Sequence, residues 1–389
     1  MIRLLTIIGA RPQLIKAAAL SREITNHFAD EVEERIMHTG QHYDENMSAH
    51  FFEELGIPSP YYQLGVGSAS HGIQTAKMIE GIEQVLKQES FDGVVLYGDT
   101  NSTLAGAIAA SKLCIPIFHI EAGLRFYDME MPEEVNRCVC DQLSSVLFAP
   151  TQTAMNNLAA EGYGQTPMRM YGNRPKQVIL SGDVMYDNSM YFSRMAEERS
   201  TILSQCDVHS KGFILATIHR NNNTDQPQRL NTIFRALMDI AEDHQLPVVL
   251  PLHPRTRKLI PVNLDAALWE RIQHSPLIRI IPPASFFDII QLEKHAQVVI
   301  TDSGGVQKES FFFSTPTIIL FQNTPWVEIV EHKAGICADA DYDRILSAYK
   351  QLAGTEVHFP PLFGDGHAAH TIMIHIIDYI ENTFIRRYS

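Results

Sequence analysis

Short runs of β-branched and aliphatic residues recur along this chain, and each stops in a cluster of glycine and polar residues that opens a helix-forming stretch. Leu4 to Ile8 ends in Gly9-Ala10-Arg11-Pro12-Gln13, and Val94-Val95-Leu96-Tyr97 ends in Gly98-Asp99-Thr100. Ile115 to Ile120 ends in Glu121-Ala122-Gly123, Phe213 to Ala216 in Thr217-Ile218-His219-Arg220, and Val298-Val299-Ile300 in Thr301-Asp302-Ser303-Gly304-Gly305. Short, wholly apolar runs of this kind read as strands buried on both faces. Strand, turn and helix in alternation predict an α/β protein with parallel sheets covered on both sides. Each strand carries its polar residues at the same end, the ligand side of an open parallel sheet.

The pattern restarts at Phe213, after a stretch of mixed composition from Gly172 to about Ser200 that includes Gly172-Asn173-Arg174-Pro175 and Ser181-Gly182-Asp183. With 389 residues, 45% of them hydrophobic, the chain can bury two cores. We expect two doubly wound Rossmann-like domains facing across a cleft. The first spans residues 1–175 plus 367–389, with a closing helix from His370 to about Phe384 crossing back onto it; the second spans 176–366. A formal charge of −14 argues against general nucleic-acid or membrane-surface binding, so an anionic ligand must be held by local groups. The five cysteines are scattered and odd in number, which fits a reducing, cytoplasmic setting. Cys138 and Cys140 form only C-x-C, which is no zinc site, so no metal is expected. Met1 to Ile8 is too short for a signal h-region, and no apolar run approaches the ~20 residues of a membrane span.

Within this frame, Ser303, Gly304 and Gly305 form a phosphate seat. A tight turn into a helix points backbone N–H groups outward, and glycine lets the backbone approach an oxygen closely. Glu309, one turn on, would repel phosphate, so we expect it to accept from sugar hydroxyls. Arg11 and Lys16 flank the first glycine turn, where a basic residue at a helix start opposes the dipole and suggests use toward a diphosphate. Another polar loop, Thr39-Gly40-Gln41-His42, follows a weaker strand, and His71 stands at the head of an amphipathic helix running to about Lys87. Asp99 and Glu121 end neighbouring strands, about 4.8 Å apart in a parallel sheet, so their carboxylates can converge on one small molecule. Glu133, beside the helix-starting Pro132, completes a trio of acids.

These motifs appear in one order, together with Pro132-Glu133-Glu134-Val135-Asn136-Arg137 and Glu121-Ala122-Gly123-Leu124-Arg125. The series closely resembles the non-hydrolysing UDP-N-acetylglucosamine 2-epimerases and covers nearly the whole chain. The resemblance implies a glycosyltransferase-B-like fold, a cytoplasmic homodimer, no cofactor, and a role in making cell-surface polysaccharide precursors. It implies inversion at C2 of a UDP-2-acetamido sugar: UDP leaves C1 as the C2 proton is removed, giving a 2-acetamidoglucal that UDP then re-enters. By position, Asp99, Glu121, Glu133 and His219 match the family's catalytic residues. Arg11, Lys16, Gln41, Arg137, Ser303, Gly304, Gly305 and Glu309 match its substrate and UDP contacts. Asn222 stands where one branch has glutamate, and Phe321 to Glu328 also departs from that branch. Ser70-His71-Gly72-Ile73-Gln74-Thr75, Ser181-Gly182-Asp183-Val184-Met185 and Trp326-Val327-Glu328 are similar to relatives that epimerise UDP-2,3-diacetamido-2,3-dideoxyglucuronate.

That chemistry explains the residue types. A C2 proton is barely acidic, so its removal requires strong stabilisation of the departing diphosphate, for which Arg11, Lys16 and the Ser303 turn are suited. Inversion needs proton removal and return on opposite faces, hence more than one acid/base group, and mutual repulsion among the three acids is expected to keep one protonated. A hydrolysing relative, a sugar transferase and a non-catalytic nucleotide-sugar sensor are the alternatives, distinguished by free UDP, by dependence on an acceptor and by absence of chemistry respectively.

Overall fold

The computed structural model describes residues 1–41, 56–164, 169–170 and 174–387. His42 and the Gly172-Asn173 pair, both singled out above, lie outside the described residues. The strands of the first part are β1 Ile2–Ile8, β2 Val32–His38, β3 Tyr62–Gln63, β4 Gly93–Tyr97, β5 Ile117–Ile120, β6 Val146–Ala149, β7 Arg169–Met170, β8 Arg174–Pro175 and β9 Gln177–Leu180. Those of the second are β10 Ile214–Thr217, β11 Val248–Pro251, β12 Ile278–Ile281, β13 Val298–Thr301, β14 Thr317–Ile319 and β15 Gly335–Cys337. The chain divides into two compact units, Met1–Asn188 with Pro361–Ser389, and Ser189–Pro360. Among the described residues no helix is long and apolar enough to cross a membrane.

In the first unit the sheet order is β3-β2-β1-β4-β5-β6-β9, and every pairing is parallel. The chain moves outward from β1 to β3, then returns to the other side of β1 with β4, so the order reverses between β1 and β4. Leu5, Ile7, Val94 and Leu96 pack against Met78, Ile82 and Leu86 of the helix His71–Gln88, residues four apart that form one helical stripe. Elsewhere on the sheet Tyr379 of the closing helix Ala368–Arg387 meets Phe118 edge to face, ring centroids 5.7 Å apart. Asp187 accepts from the N–H groups of Ala368 and Ala369 at 3.1 and 2.8 Å, satisfying two of the donors that a helix start leaves unpaired.

Three expected boundaries move, and one is the return of the chain to the first unit, which comes at Pro361 and not at residue 367. The division placed after Pro175 precedes β9, which pairs with β6 and ends the first sheet, so the first unit continues to Asn188 inside the helix Val184–Arg199. β9 is a short, partly exposed edge strand and lacks the wholly apolar run that marks the central ones. The alanine-rich run from Leu104 to Ser111 reads in sequence as a helix after a polar loop; the helix starts earlier, at Asn101, because Thr100 caps it by accepting from Thr103 N.

The second unit repeats the plan as β12-β11-β10-β13-β14-β15, again parallel throughout. Its order reverses between β10 and β13. Leu230, Ile233, Phe234, Leu237 and Ala241 of the helix Pro227–His244 pack on Ile214, Ala216, Val248, Leu250, Val298 and Ile300. Phe213, Leu215, Val249 and Val299 join a separate apolar cluster with Leu292. The architecture is α/β, two doubly wound Rossmann-like units, and in each the reversal leaves a crevice at the carboxyl ends of two strands.

Candidate active site

The crevice of the first unit is built around Gly9, where an added Cβ would lie 2.1 Å from both Thr39 Oγ1 and Ser102 Oγ. Only glycine lets three segments meet there. Gln13 then ties the turn after β1 to the end of β4. Its Oε1 accepts from Gly9 N and Ala10 N at 2.9 and 3.2 Å, while its Nε2 donates to Tyr97 O at 2.9 Å. Arg11 is exposed at the start of the helix Arg11–Glu23. Lys16, one turn on, forms an ion pair with Glu121 that is nearly buried, the side chains being 12% and 9% exposed. Gly98 has φ +60°, and an added Cβ would lie 3.1 Å from Lys16 Nζ and 3.2 Å from Glu121 Oε2. The turns after β1, β4 and β5 therefore converge on one small volume.

Asp99 is ion-paired with Arg137 of the helix Pro132–Leu143, and its carbonyl accepts from Asn136 Nδ2 at 2.8 Å. Arg137 also meets Glu134 at 2.8 Å. Burial works against the Glu134 carboxylate, but Arg137 and the N–H groups of Phe126 and Tyr127 outweigh it and hold its pKa below the usual range. Glu133 is exposed on the same first turn. The mutual repulsion expected among three acids gives way to pairing, since Asp99 faces Arg137 and Glu121 faces Lys16. Glu121 itself has φ +68°, an uncommon backbone for a residue with a side chain. Gln41 is buried, its Oε1 accepting from Ser102 N and Ser102 Oγ at 3.0 and 2.8 Å. That places it at the head of the helix Asn101–Lys112.

Behind these turns lies a fully buried charged group. His119 Nδ1 is 2.7 Å from Asp141 Oδ1, and His119 Nε2 is 2.8 Å from Gly98 O. Asp141 Oδ2 accepts from Gly123 N at 3.1 Å and meets the Arg125 guanidinium at 2.8 Å. Burial disfavours the charged ring, yet the neighbouring Cys140 and Asp141 outweigh that, and His119 titrates well above the ordinary histidine range. Asp141 is likewise held low, burial being outweighed by His119 and Arg125.

In the second unit Ser303 caps the helix Gly304–Phe312 by accepting from Val306 N. An added Cβ at Gly304 would meet only Arg220, at 3.7 Å, and one at Gly305 only Ser303 Oγ, at 3.9 Å. Neither glycine has positive φ. The chain's own packing therefore does not require glycine at either position. Such openness before the unpaired N–H groups of a helix start fits an anion. Asp302, fully buried, accepts from His219 N at 3.0 Å, Arg220 N at 3.0 Å and Asn223 Nδ2 at 3.1 Å, and its Oδ1 lies 2.9 Å from His219 Nδ1. It locks the turn after β10 to the turn after β13. Burial, then the charge of His219, lowers the pKa of His253, whose ring lies 5.4 Å from that of His219. The departing segment packs on the same helix: Trp326 Nε1 donates to Gly304 O at 3.1 Å and Thr324 Oγ1 to Gln307 Oε1 at 2.6 Å. Glu309 is half-buried one turn into the helix.

A model of the UDP-N-acetylglucosamine 2-epimerase family matches residues 25–377. The chain belongs to that family. A UDP-2,3-diacetamido-2,3-dideoxy-D-glucuronate 2-epimerase of Pseudomonas aeruginosa is 45% identical over 95% of this chain and 98% of its own. A UDP-N-acetylglucosamine 2-epimerase of Methanococcus maripaludis is 38% identical over 94% of this chain and 96% of its own. Among solved structures, the Methanocaldococcus jannaschii UDP-GlcNAc 2-epimerase in complex with UDP-GlcNAc and UDP superposes with a TM-score of 0.81 at 36% identity, covering 97% of this chain and all of that one. The chain is accordingly an isomerase with the α/β fold expected from its sequence.

In this epimerase the two units hold distinct sets of the residues singled out from sequence. The first brings Lys16, Glu121, Asp99 and Arg137 into ion pairs at one sheet edge, with Arg11 at the same turn. The second sets His219 and Ser303 on either side of Asp302. Gln13, His119, Asn136, Asp141 and Asp302 received no role from the sequence. Their signal was present only as polar residues inside or directly beside apolar runs, and a single buried polar residue gives no hint of which turn it holds.

Proposed function

We propose that this epimerase is non-hydrolysing and inverts C2 of a UDP-2-acetamido sugar. The C2–H bond breaks and its proton passes to a carboxylate. The electron pair forms the C1=C2 double bond of a 2-acetamidoglucal, and UDP departs with the electrons of the C1–O bond. Return of a proton to the opposite face of C2 and of the UDP oxygen to C1 completes the inversion without net consumption of water. Asp99, Glu121 and Glu133 act as the acid/base groups, and two of them are held by cations from their own unit. His219 serves the same chemistry, contacting phosphate or carrying a proton, with its turn fixed by Asp302. Arg11, Lys16, Gln41 and Arg137 act on the substrate side. Ser303, Gly304 and Gly305 seat the diphosphate and Glu309 accepts from ribose hydroxyls. The observation that carries this reading is the convergence of Lys16, Gly98 and Glu121 beside the Asp99–Arg137 pair.

For the sugar, identity favours the 2,3-diacetamido uronate over UDP-N-acetylglucosamine, 45% against 38% among the relatives above. Deuterium incorporation at C2 in heavy water, run with both UDP-sugars, tests the reading. Exchange without stoichiometric UDP release is expected, faster with the diacetamido uronate. Free UDP accumulating with sugar identifies a hydrolysing enzyme instead, and no exchange with either overturns the proposal. The same reading takes the enzyme to be a cytoplasmic homodimer serving polysaccharide precursor synthesis.

A further inference from the structure

We propose that His119, Asp141 and Arg125 form a buried charged clamp that sets the positions of Asp99 and Glu121, with His119 acting as an imidazolium; the inference rests on the reading of those two acids given above. Asp99 and Glu121 sit on turns just past the ends of β4 and β5, next to Gly98 and Ala122, whose N–H groups donate to Ile120 O and Phe148 O at 3.0 Å each. The carbonyl of Gly98 belongs to the peptide leading into Asp99. The N–H of Gly123 lies two residues past Glu121. One group holds both: His119 Nε2 reaches Gly98 O at 2.8 Å, and Asp141 Oδ2 accepts from Gly123 N at 3.1 Å, with His119 Nδ1 and Asp141 Oδ1 joined at 2.7 Å.

The protonation state follows from the partners. A carbonyl oxygen only accepts, so Nε2 must carry a proton. The Arg125 guanidinium, 2.8 Å from Asp141 Oδ2, favours the ionised carboxylate, which leaves Nδ1 to supply the proton of the 2.7 Å contact with Oδ1. Two anions, Asp141 and Glu161, and two cations, Arg125 and Lys176, surround the ring. Arg125 Nε and its terminal nitrogen reach Glu161 at 2.6 and 2.8 Å. Lys176 Nζ donates to the carbonyls of Asp141 and Gln142, and Cys140 is the other titratable group packed on the ring. Burying such a set is no efficient way to stabilise a fold, since apolar residues of like volume often serve as well. Its placement between two acid-bearing turns is what it supplies: a fixed geometry for groups whose displacement by about 1 Å can cost about a hundredfold in rate.

His119, Asp141 and Arg125 are positioning residues and touch no substrate. The test begins with nitrogen NMR of the wild-type chain carrying labelled histidine, the His119 signal assigned by its loss in His119→Gln. Both ring nitrogens should remain protonated at pH 8, and a neutral ring there would overturn the clamp. Asp141→Asn and His119→Gln are then assayed for C2 deuterium exchange and for UDP binding by calorimetry. The expected result is an exchange rate at saturation lowered about a hundredfold, with UDP affinity changed by less than about twofold. Full exchange rates in folded variants would overturn the clamp and leave the epimerase reading intact. If the wild-type chain exchanges with neither sugar, that reading fails while the ring's protonation still decides the clamp.

Discussion

The two units share a topology but differ in how far they rely on charge pairing to hold their functional turns. In the first, the buried or nearly buried acids Glu121, Glu134 and Asp141 each face a cation, and the partly exposed Asp99 faces Arg137. In the second, the turns are held by Asp302, which collects backbone N–H groups, and by capping at a helix start, leaving two glycines open. Charge compensation suits a unit whose carboxylates must stay in place while protons come and go. Open N–H groups suit a unit that receives a charge from outside. One sheet order thus serves two chemistries, and the residues at the strand ends decide which.

The largest expected effect breaks that division directly. Asp99→Asn keeps the shape but removes a proton acceptor, and the C2 exchange rate should fall by about 10²–10⁴ with UDP affinity almost unchanged. Gly304→Val is its counterpart in the second unit, filling the space before the helix start, and should weaken UDP binding while the chain stays folded. Exchange kinetics and calorimetry on both variants read the split. Equal loss of UDP affinity in the two would show that the units do not divide the work this way.

How much of this was legible in the sequence differs by unit. Both sheets were, because uninterrupted runs such as Val94 to Tyr97 and Val298 to Ile300 have few structural alternatives. The turn residues were legible as candidates, since Asp99, Glu121 and Ser303 stand where strands end. Their partners were not. Arg137 lies 38 residues from Asp99 and Lys16 lies 105 from Glu121, and no spacing along the chain reveals a contact made only by strand order. Asp302 shows the same limit. Its neighbours Ser303 and Gly304 read as ligand contacts, whereas its own carboxylate turns inward to a loop about eighty residues earlier. β9 was missed for a different reason, being a short edge strand with too little burial to leave an apolar run.

A second test sharpens the contrast in compensation. Glu293, on the helix Phe286–His295, is fully buried, and among the described residues neither carboxylate oxygen has a hydrogen-bond partner. Burial, then the nearby Glu309, pushes its pKa well above the ordinary carboxylate value. Where the first unit answers Glu121, Glu134 and Asp141 with cations, the second keeps this buried acid protonated. Below pH 4.5 the carboxyl is protonated folded or unfolded and costs nothing in ionisation. As pH rises from there toward the folded pKa, the unfolded chain gives up the proton and the folded chain retains it, so stability falls. Glu293→Met, apolar and of similar size, should escape that loss and gain about 1–3 kcal/mol near pH 8, with the gain shrinking toward pH 4.5. Denaturant melts of both proteins across pH measure it, and a difference flat with pH would mean Glu293 is not held neutral.

The smallest expected effect concerns backbone and separates geometry from charge at Glu121. Its φ of +68° is a conformation in which a side chain crowds the main chain, tolerated because Lys16 and the sheet edge hold the carboxylate in place. Glu121→Ala and Glu121→Gly both delete that carboxylate and both leave Lys16 without its partner, so the loss of charge pairing is common to the two. They differ only in whether a Cβ remains at positive φ. Glycine should therefore give the more stable protein by about 1 kcal/mol, with C2 exchange abolished equally in both. Thermal melts at one pH resolve a difference of that size. If alanine proved as stable as glycine, the turn would have relaxed out of the left-handed region once the carboxylate was gone, and the ion pair with Lys16, not the β5 edge, would be what forces the strain.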